Sequence, residues 1–194
     1  MRKCEIKRAT KETDIAVSLN LDGKGEREID TGVGFFNHML ELFSAHSGFD
    51  LQVKCKGDID VDGHHSVEDI GITIGKCISK ALGDKRGIAR YSEKSIPMDE
   101  ALTCVNVDVS GRSFLVYNVE PLTNGKIGDF DCQLVEEFLR ALVVNAGITM
   151  HINYLYGTNF HHIAESVIKG VARTLGEAVK IVGTEIPSSK GVLD

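Results

Sequence analysis

Ile15, Val17, Leu19 and Leu21 alternate with Ala16, Ser18 and Asn20, and Val105, Val107 and Val109 alternate with Asn106 and Asp108. A period of two sends alternate side chains to opposite faces, so both stretches are expected to be strands with one buried and one wet face. Leu51, Val53 and Cys55 repeat the alternation in the first half of the chain, and Ile148, Met150, Ile152 and Tyr154 repeat it in the second. Between these strands Met39, Leu42, Phe43 and His46 fall at helical spacing, as do Leu134, Phe138, Ala141 and Leu142. Each of these helices runs into a glycine, Gly48 or Gly147, a common helix stop. Two more apolar stripes, Ile70, Ile74, Cys77, Ile78 and Leu82, and Val167, Val171, Leu175 and Val179, predict a second helix after each strand.

The order of elements is thus the same twice, and the sequence itself repeats. Gly34-Phe35-Phe36-Asn37-His38-Met39-Leu40-Glu41, continuing to Ser47-Gly48-Phe49-Asp50-Leu51, has its counterpart in Gln133-Leu134-Val135-Glu136-Glu137-Phe138, continuing to Ala146-Gly147-Ile148-Thr149-Met150. Aligning Gly48 with Gly147 sets His38 opposite Glu137. Strands with helices gathered on one face give an α+β fold: an internally duplicated two-layer sandwich, each half a mostly antiparallel sheet. The halves are expected at residues 1–87 and 88–194, meeting near Lys85-Arg86-Gly87, with the C-terminal tail belonging to the second.

The chemistry is duplicated too. His64-His65-x-x-Glu68 and His161-His162-x-x-Glu165 each follow the strand and open the second helix of their half. On a helix, residues four apart share a face, so His64 and Glu68, or His161 and Glu165, can hold one cation. Adjacent residues diverge by about 100°, so His65 and His162 should serve a different ion. One such pair is ordinarily a solvated helix contact; two copies, using four of the seven histidines, argue for two metals. Imidazole and carboxylate without sulfur suit Mn2+, Fe2+ or Zn2+, and a mixed nitrogen and oxygen set favours manganese over tetrahedral zinc. His38 and its repeat partner Glu137 are further candidate ligands, and His46 a candidate second-layer or substrate-facing group. His151, on an alternating strand, reads equally well as a polar-face residue. Asp58-x-Asp60-x-Asp62-Gly63 partly fits a calcium loop, but a strand precedes it where a helix is required, and two histidines interrupt it. The acidic run is better placed to hydrogen-bond the imidazoles of the cassette.

Charge narrows the partners. The 194 residues carry a formal charge of −6 with no Lys/Arg block, which argues against nucleic acid or an anionic membrane and leaves room only for a local anion site. Arg90, Arg112 and the tail Pro187-Ser188-Ser189-Lys190-Gly191 together offer what a phosphate requires: guanidinium forks, hydroxyls and backbone amides. No stretch approaches a membrane span and the start lacks an apolar signal core, so a cytoplasmic location is expected. Cys4, Cys55, Cys77, Cys104 and Cys132 are scattered and odd in number, which predicts packing residues in place of a disulfide framework.

Thr31-Gly32-Val33-Gly34-Phe35-Phe36-Asn37-His38-Met39-Leu40, Asp62-Gly63-His64-His65-Ser66-Val67-Glu68-Asp69, Asp108-Val109-Ser110-Gly111-Arg112, the second His-His-x-x-Glu and the closing Pro-Ser-Ser-Lys-Gly-Val-Leu have a common bearing. Over essentially its whole length the chain resembles the imidazoleglycerol-phosphate dehydratases of histidine biosynthesis. The resemblance implies dehydration of imidazole glycerol phosphate to imidazole acetol phosphate through a metal-stabilised imidazolate at two Mn2+ ions, other divalent metals being possible. It also implies self-association into an octahedral assembly of 24 subunits. The implied ligands are His38, His64, His65, Glu68, Glu137, His161, His162 and Glu165, although many members carry histidine at the position of Glu137. Glu12 looks like the family's acid/base carboxylate, a role the residue's own surroundings in the sequence do not suggest. Glu12, His38, His46, Arg90, Arg112, Ser188, Ser189 and Lys190 are then the expected substrate contacts. Two rivals make different predictions: a dinuclear phosphate-ester hydrolase would release phosphate, and a ferritin-like store would need four long helices where half of this chain alternates like strands.

Overall fold

The computed structural model describes residues 2–193. Its first sheet contains β1 (Lys3–Ala9), β2 (Thr13–Asn20), β3 (Arg27–Asp30) and β4 (Asp50–Gly57) in the order β1-β2-β4-β3. Its second contains β5 (Tyr91–Met98), β6 (Ala101–Asp108), β7 (Phe114–Asn118) and β10 (Thr149–Tyr156) in the order β5-β6-β10-β7. The topologies are identical: a hairpin, a third antiparallel strand, and a parallel edge strand, β3 on β4 and β7 on β10. The second half alone adds a small hairpin, β8 (Lys126–Ile127) and β9 (Phe130–Asp131). The expected α+β duplication is present, with one parallel pairing in each otherwise antiparallel sheet.

Register follows from the alternation. Ile15 pairs with Cys55, Val17 with Val53 and Leu19 with Leu51, and all six are buried on one face. A one-residue slip would turn that whole set to solvent, which is why the pairing is specified. In the second half Val105 pairs with Ile152 and Val107 with Met150, again buried.

Four helices cover these faces: α1 (Gly34–Ser47), α2 (His64–Leu82), α3 (Leu134–Ala146) and α4 (Phe160–Ala178). α1 and α3 end at Gly48 and Gly147, both left-handed caps whose N–H returns to the last turn. α2 lies on β1, β2 and β4 and also against α3, while α4 lies on β5 and β6 and also against α1. The helices of the two halves therefore meet each other between the sheets, and one continuous apolar core joins both halves. Close approach at these helix contacts needs glycine: a Cβ on Gly71 of α2 would sit 2.7 Å from the Phe138 carbonyl oxygen, and one on Gly176 of α4 would sit 2.5 Å from that of Ser47. The linker of residues 83–90 runs between the halves, and Arg90 in it holds a left-handed φ of 73°. No described helix is long and apolar enough to cross a membrane.

Candidate metal centre and acid–base site

Both cassettes sit at the first turn of a long helix, where the backbone N–H groups lack helical partners. Asn159 caps α4, its side-chain oxygen accepting from the N–H of His161 at 2.9 Å and of His162 at 3.4 Å. At α2 the Asp62 carboxylate accepts from the His64 N–H at 2.7 Å. These two acceptors fix where the histidines begin, although the N-cap position of α2 is Gly63 and only α4 has a capping side chain. The adjacent imidazoles stand nearly perpendicular, their planes inclined by 81° for His64 and His65 and by 82° for His161 and His162.

α1 and α4 bring His38, His161 and Glu165 into one cluster, with donor atoms all within 4.8 Å of one another. His38 Nε2–H and His161 Nε2–H both donate to Glu165 Oε1, at 2.7 Å and 3.0 Å. Lys169, one turn on, donates to Glu165 Oε2 at 2.6 Å. Burial alone pushes the Glu165 carboxyl up, but the bonds from Lys169, His38 and His161 outweigh it and hold its pKa at about 2. The carboxylate is an anion at any physiological pH, faced by two imidazoles that can exchange a proton for a cation. Phe35 lies edge-on to the His161 ring at 5.2 Å and lines, with His38, a cleft of about 700 Å3.

The repeat-related set His64, Glu68 and Glu137 is half-buried at the α2–α3 contact. Gly63 of the α2 N-terminus lies against Leu134, and Gly71 against Phe138 and Ala141, so the helices run parallel and Glu137 falls level with Glu68. These three are not drawn together as the first set is: among the described residues the only three-donor cluster is His38, His161 and Glu165. Two carboxylates have no proton to share, whereas an imidazole N–H bonds a carboxylate directly.

His65 and His162 turn away from both sets. His65 Nδ1–H donates to Asp58 at 3.0 Å, and His162 Nδ1–H to Glu100 at 2.7 Å, so each offers only its Nε2 lone pair to a further partner. The Asp58 bond raises the His65 pKa, and that from Glu100 raises His162. Glu100 also accepts from the Asn159 and Thr158 N–H groups, at 2.8 Å and 3.1 Å, and the His162 bond above all lowers its pKa to about 2. Glu12, in the β1–β2 turn, lies 3.9 Å from His65 Nδ1 and its side chain is half exposed.

The acidic run was expected to bond the imidazoles. Asp58 does so, while Asp62 takes the backbone N–H of His64 instead. Glu100 and Lys169 were not anticipated, although Glu100 immediately precedes β6 as Glu12 precedes β2, a correspondence available from the repeat. His46 sits two turns beyond His38, half-buried, its pKa lowered by burial and by Lys169 and Arg173. His151 is exposed on β10, opposite Asn106 and Val116. All five cysteines are free, and Cys55, Cys77 and Cys132 are buried.

Arg90, Arg112 and the tail do come together. Arg90 forks onto Asp108 at 2.7 Å and 3.2 Å and donates to the Pro187 carbonyl at 2.8 Å, anchoring the tail, and Arg112 reaches Asp108 at 4.0 Å. With the Arg90 fork occupied, the exposed groups are Arg112, Ser189 and Lys190; Ser188 is half-buried, its hydroxyl accepting from the Lys190 N–H. Arg90 precedes β5 and Glu100 follows it, so the eight-residue strand separates this basic group from His162 by about 25 Å at ~3.3 Å per residue.

Residues 31–175 match the family model of imidazoleglycerol-phosphate dehydratase. The imidazoleglycerol-phosphate dehydratase of Azorhizobium caulinodans is 55% identical over 196 residues, covering 100% of this chain and 99% of its own length. That of a Thermoanaerobacter species is 54% identical over 195 residues, covering 100% of both. The crystal structure of the Staphylococcus aureus enzyme superposes with a TM-score of 0.84 at 42% identity, covering 92% of this chain and 99% of that one.

Proposed function

This chain belongs to the imidazoleglycerol-phosphate dehydratase family, the hydro-lyases of histidine biosynthesis, and on that premise we propose that it removes water from imidazole glycerol phosphate at a dinuclear metal centre. The observation that carries the metal reading is the convergence of His38, His161 and Glu165, a nitrogen and oxygen donor set suited to Mn2+ or a similar divalent ion. His64, Glu68 and Glu137 are the repeat-related set for a second ion, with His65 and His162 completing the two. Bound cations would make the substrate's ring N–H acidic, since positive charge stabilises a conjugate base.

The chain's own groups supply the rest. Glu12 gives its proton to the hydroxyl leaving the carbon next to the ring, so that water departs, and the resulting carboxylate takes a proton from the following carbon. The enol so formed becomes the ketone. Arg112, Ser189 and Lys190, with the tail fixed by Arg90, hold the phosphate and so orient the glycerol chain, an effect worth several kcal/mol of barrier.

One chain does not hold all of these together, because the phosphate group and the second cassette lie at opposite ends of β5. Self-association resolves this, and the family's 24-subunit octahedral assembly is the form proposed. Exposed apolar residues flank both cassettes, with Ile59 51% and Val61 67% accessible beside the first, and Leu155 50% and Tyr156 59% beside the second. Apolar side chains exposed around a site are what a neighbouring copy would cover.

The test is to add imidazole glycerol phosphate to Mn2+-loaded and chelator-stripped protein and follow the ketone. Turnover by the loaded protein alone is expected. Release of inorganic phosphate in its place would overturn the proposal in favour of a hydrolase.

A further inference from the structure

We propose that Asp58 is a positioning residue that keeps Glu12 free to act, by occupying the His65 nitrogen that would otherwise capture it. The inference rests on the acid–base role of Glu12 proposed above.

The two halves solve one problem differently. Leu19 pairs with Leu51 and Val107 with Met150, and Leu51 and Met150 occupy the same place relative to Gly48 and Gly147, so Leu19 corresponds to Val107. Counting back along β2 and β6, Glu12 corresponds to Glu100. Each therefore stands before the second histidine of its cassette. In the second half Glu100 takes the His162 Nδ1–H at 2.7 Å and two backbone N–H groups besides. With the Thr158 hydroxyl at 3.4 Å as a further donor, Glu100 is a structural anion, and it has no freedom to carry a proton to and from a substrate.

In the first half the His65 Nδ1–H goes to Asp58 at 3.0 Å, and Glu12 stands off at 3.9 Å, beyond hydrogen-bond range, with 53% of its side chain exposed. Aligning the cassettes places Asp58 opposite Leu155, which cannot accept a hydrogen bond, so in the second half the task falls to Glu100. Asp58 is tied beside the turn by its own N–H, which donates to the Glu12 carbonyl at 3.1 Å. Its second oxygen, Oδ1, is buried with no partner among the described residues. An unpaired buried acceptor is costly, and its retention is accounted for by the one bond that Asp58 makes to His65. Dividing the work between Asp58 and Glu12 leaves one carboxylate to fix the imidazole and another for chemistry.

The experiment uses the assembled, Mn2+-loaded enzyme. In Asp58→Ala, Glu12 is expected to move onto His65 Nδ1, within hydrogen-bond distance in a crystal structure of the variant. Bound Mn2+ should be unchanged, KM within about threefold and kcat lower by at least about tenfold, toward the 10²–10⁴ that a general acid–base contributes. Asp58→Asn keeps an acceptor for the Nδ1–H and should recover most of that loss. The proposal is overturned by a wild-type kcat in Asp58→Ala, by loss of Mn2+ in step with kcat, or by Asp58→Asn being no better than Asp58→Ala. A fully active Glu12→Gln would instead remove the acid–base reading beneath it.

Discussion

His38 Nε2 lies 2.7 Å from Glu165 Oε1, joining residues 127 apart in sequence across the contact between α1 and α4. The pair links the two halves of the duplication at the point where the metal reading needs them linked. His161, one turn before Glu165 on the same helix, donates to the same oxygen.

That sharing makes each imidazole separately testable. His38→Ala leaves His161 and Glu165 in place and removes one of three donors, so bound Mn2+ per chain is expected to fall at this centre while the other is retained. Elemental analysis after dialysis at limiting Mn2+ measures it, with circular dichroism reporting the fold. Undiminished Mn2+ would remove His38 from the ligand set.

Lys169 gives the two proposed centres different charge. It neutralises Glu165 in the first, whereas its counterpart in the second is Ile72, beside Glu68 and the additional carboxylate Glu137. A cation therefore meets less favourable charge at the first centre, and two classes of Mn2+ affinity are expected, the tighter at Glu68 and Glu137. Lys169→Met should tighten the weaker class by at least about tenfold, given the Coulomb energy of a unit charge so close. Glu137→Gln should weaken the tighter one. A calorimetric Mn2+ titration showing one class in all three proteins would overturn this.

The candidate phosphate grip separates binding from chemistry. Arg112 and Lys190 are exposed and, among the described residues, make no hydrogen bond or ion pair with the cassettes or Glu12. Arg112→Ala and Lys190→Ala are expected to raise KM by about tenfold or more, the loss of a charge-assisted contact, with less effect on kcat. Arg90→Ala should act more severely, because it also releases Asp108 and the Pro187 carbonyl. Steady-state kinetics at constant ionic strength distinguishes these, and an unchanged KM in Lys190→Ala would take the tail out of the site.

The cassettes, the four amphipathic helices and the buried faces of β2, β4, β6 and β10 were legible in the sequence because each is a periodic pattern, and the duplication let one half check the other. His38 was legible as a candidate ligand only through the repeat and the family resemblance, since nothing local distinguishes it from any half-buried helical histidine. Glu100 and Lys169 were not legible. Their roles depend on which hairpin turn meets which helix start and on a contact between cassette and flanking lysine, and a charged residue in a turn or on a helix face has no signature of its own. The separation of the candidate phosphate grip from the second cassette, by the length of β5, was equally out of reach, since spacing along the chain does not reveal which end of a strand a residue faces.

Asp50 offers a test that is independent of the site. Its carboxylate accepts from the Lys24 N–H at 2.8 Å, the Glu26 N–H at 3.1 Å and Asn20 Nδ2 at 2.9 Å, closing the loop between β2 and β3. The Lys24 backbone bond above all lowers its pKa below the ordinary aspartate value of 3.8, outweighing desolvation. A folded value below the unfolded one means that the contribution is fully present above the unfolded pKa. It is lost as pH falls below about 4 through the lower folded value. Asp50→Ala should therefore lower Tm at pH 7 by about 2–4 °C, corresponding to roughly 1 kcal/mol after allowance for solvent screening. The gap between variant and wild type should narrow at pH 3. Thermal melts of both proteins at the two values decide it, and a gap that widens toward acid would show that the loop does not depend on the ionised carboxylate.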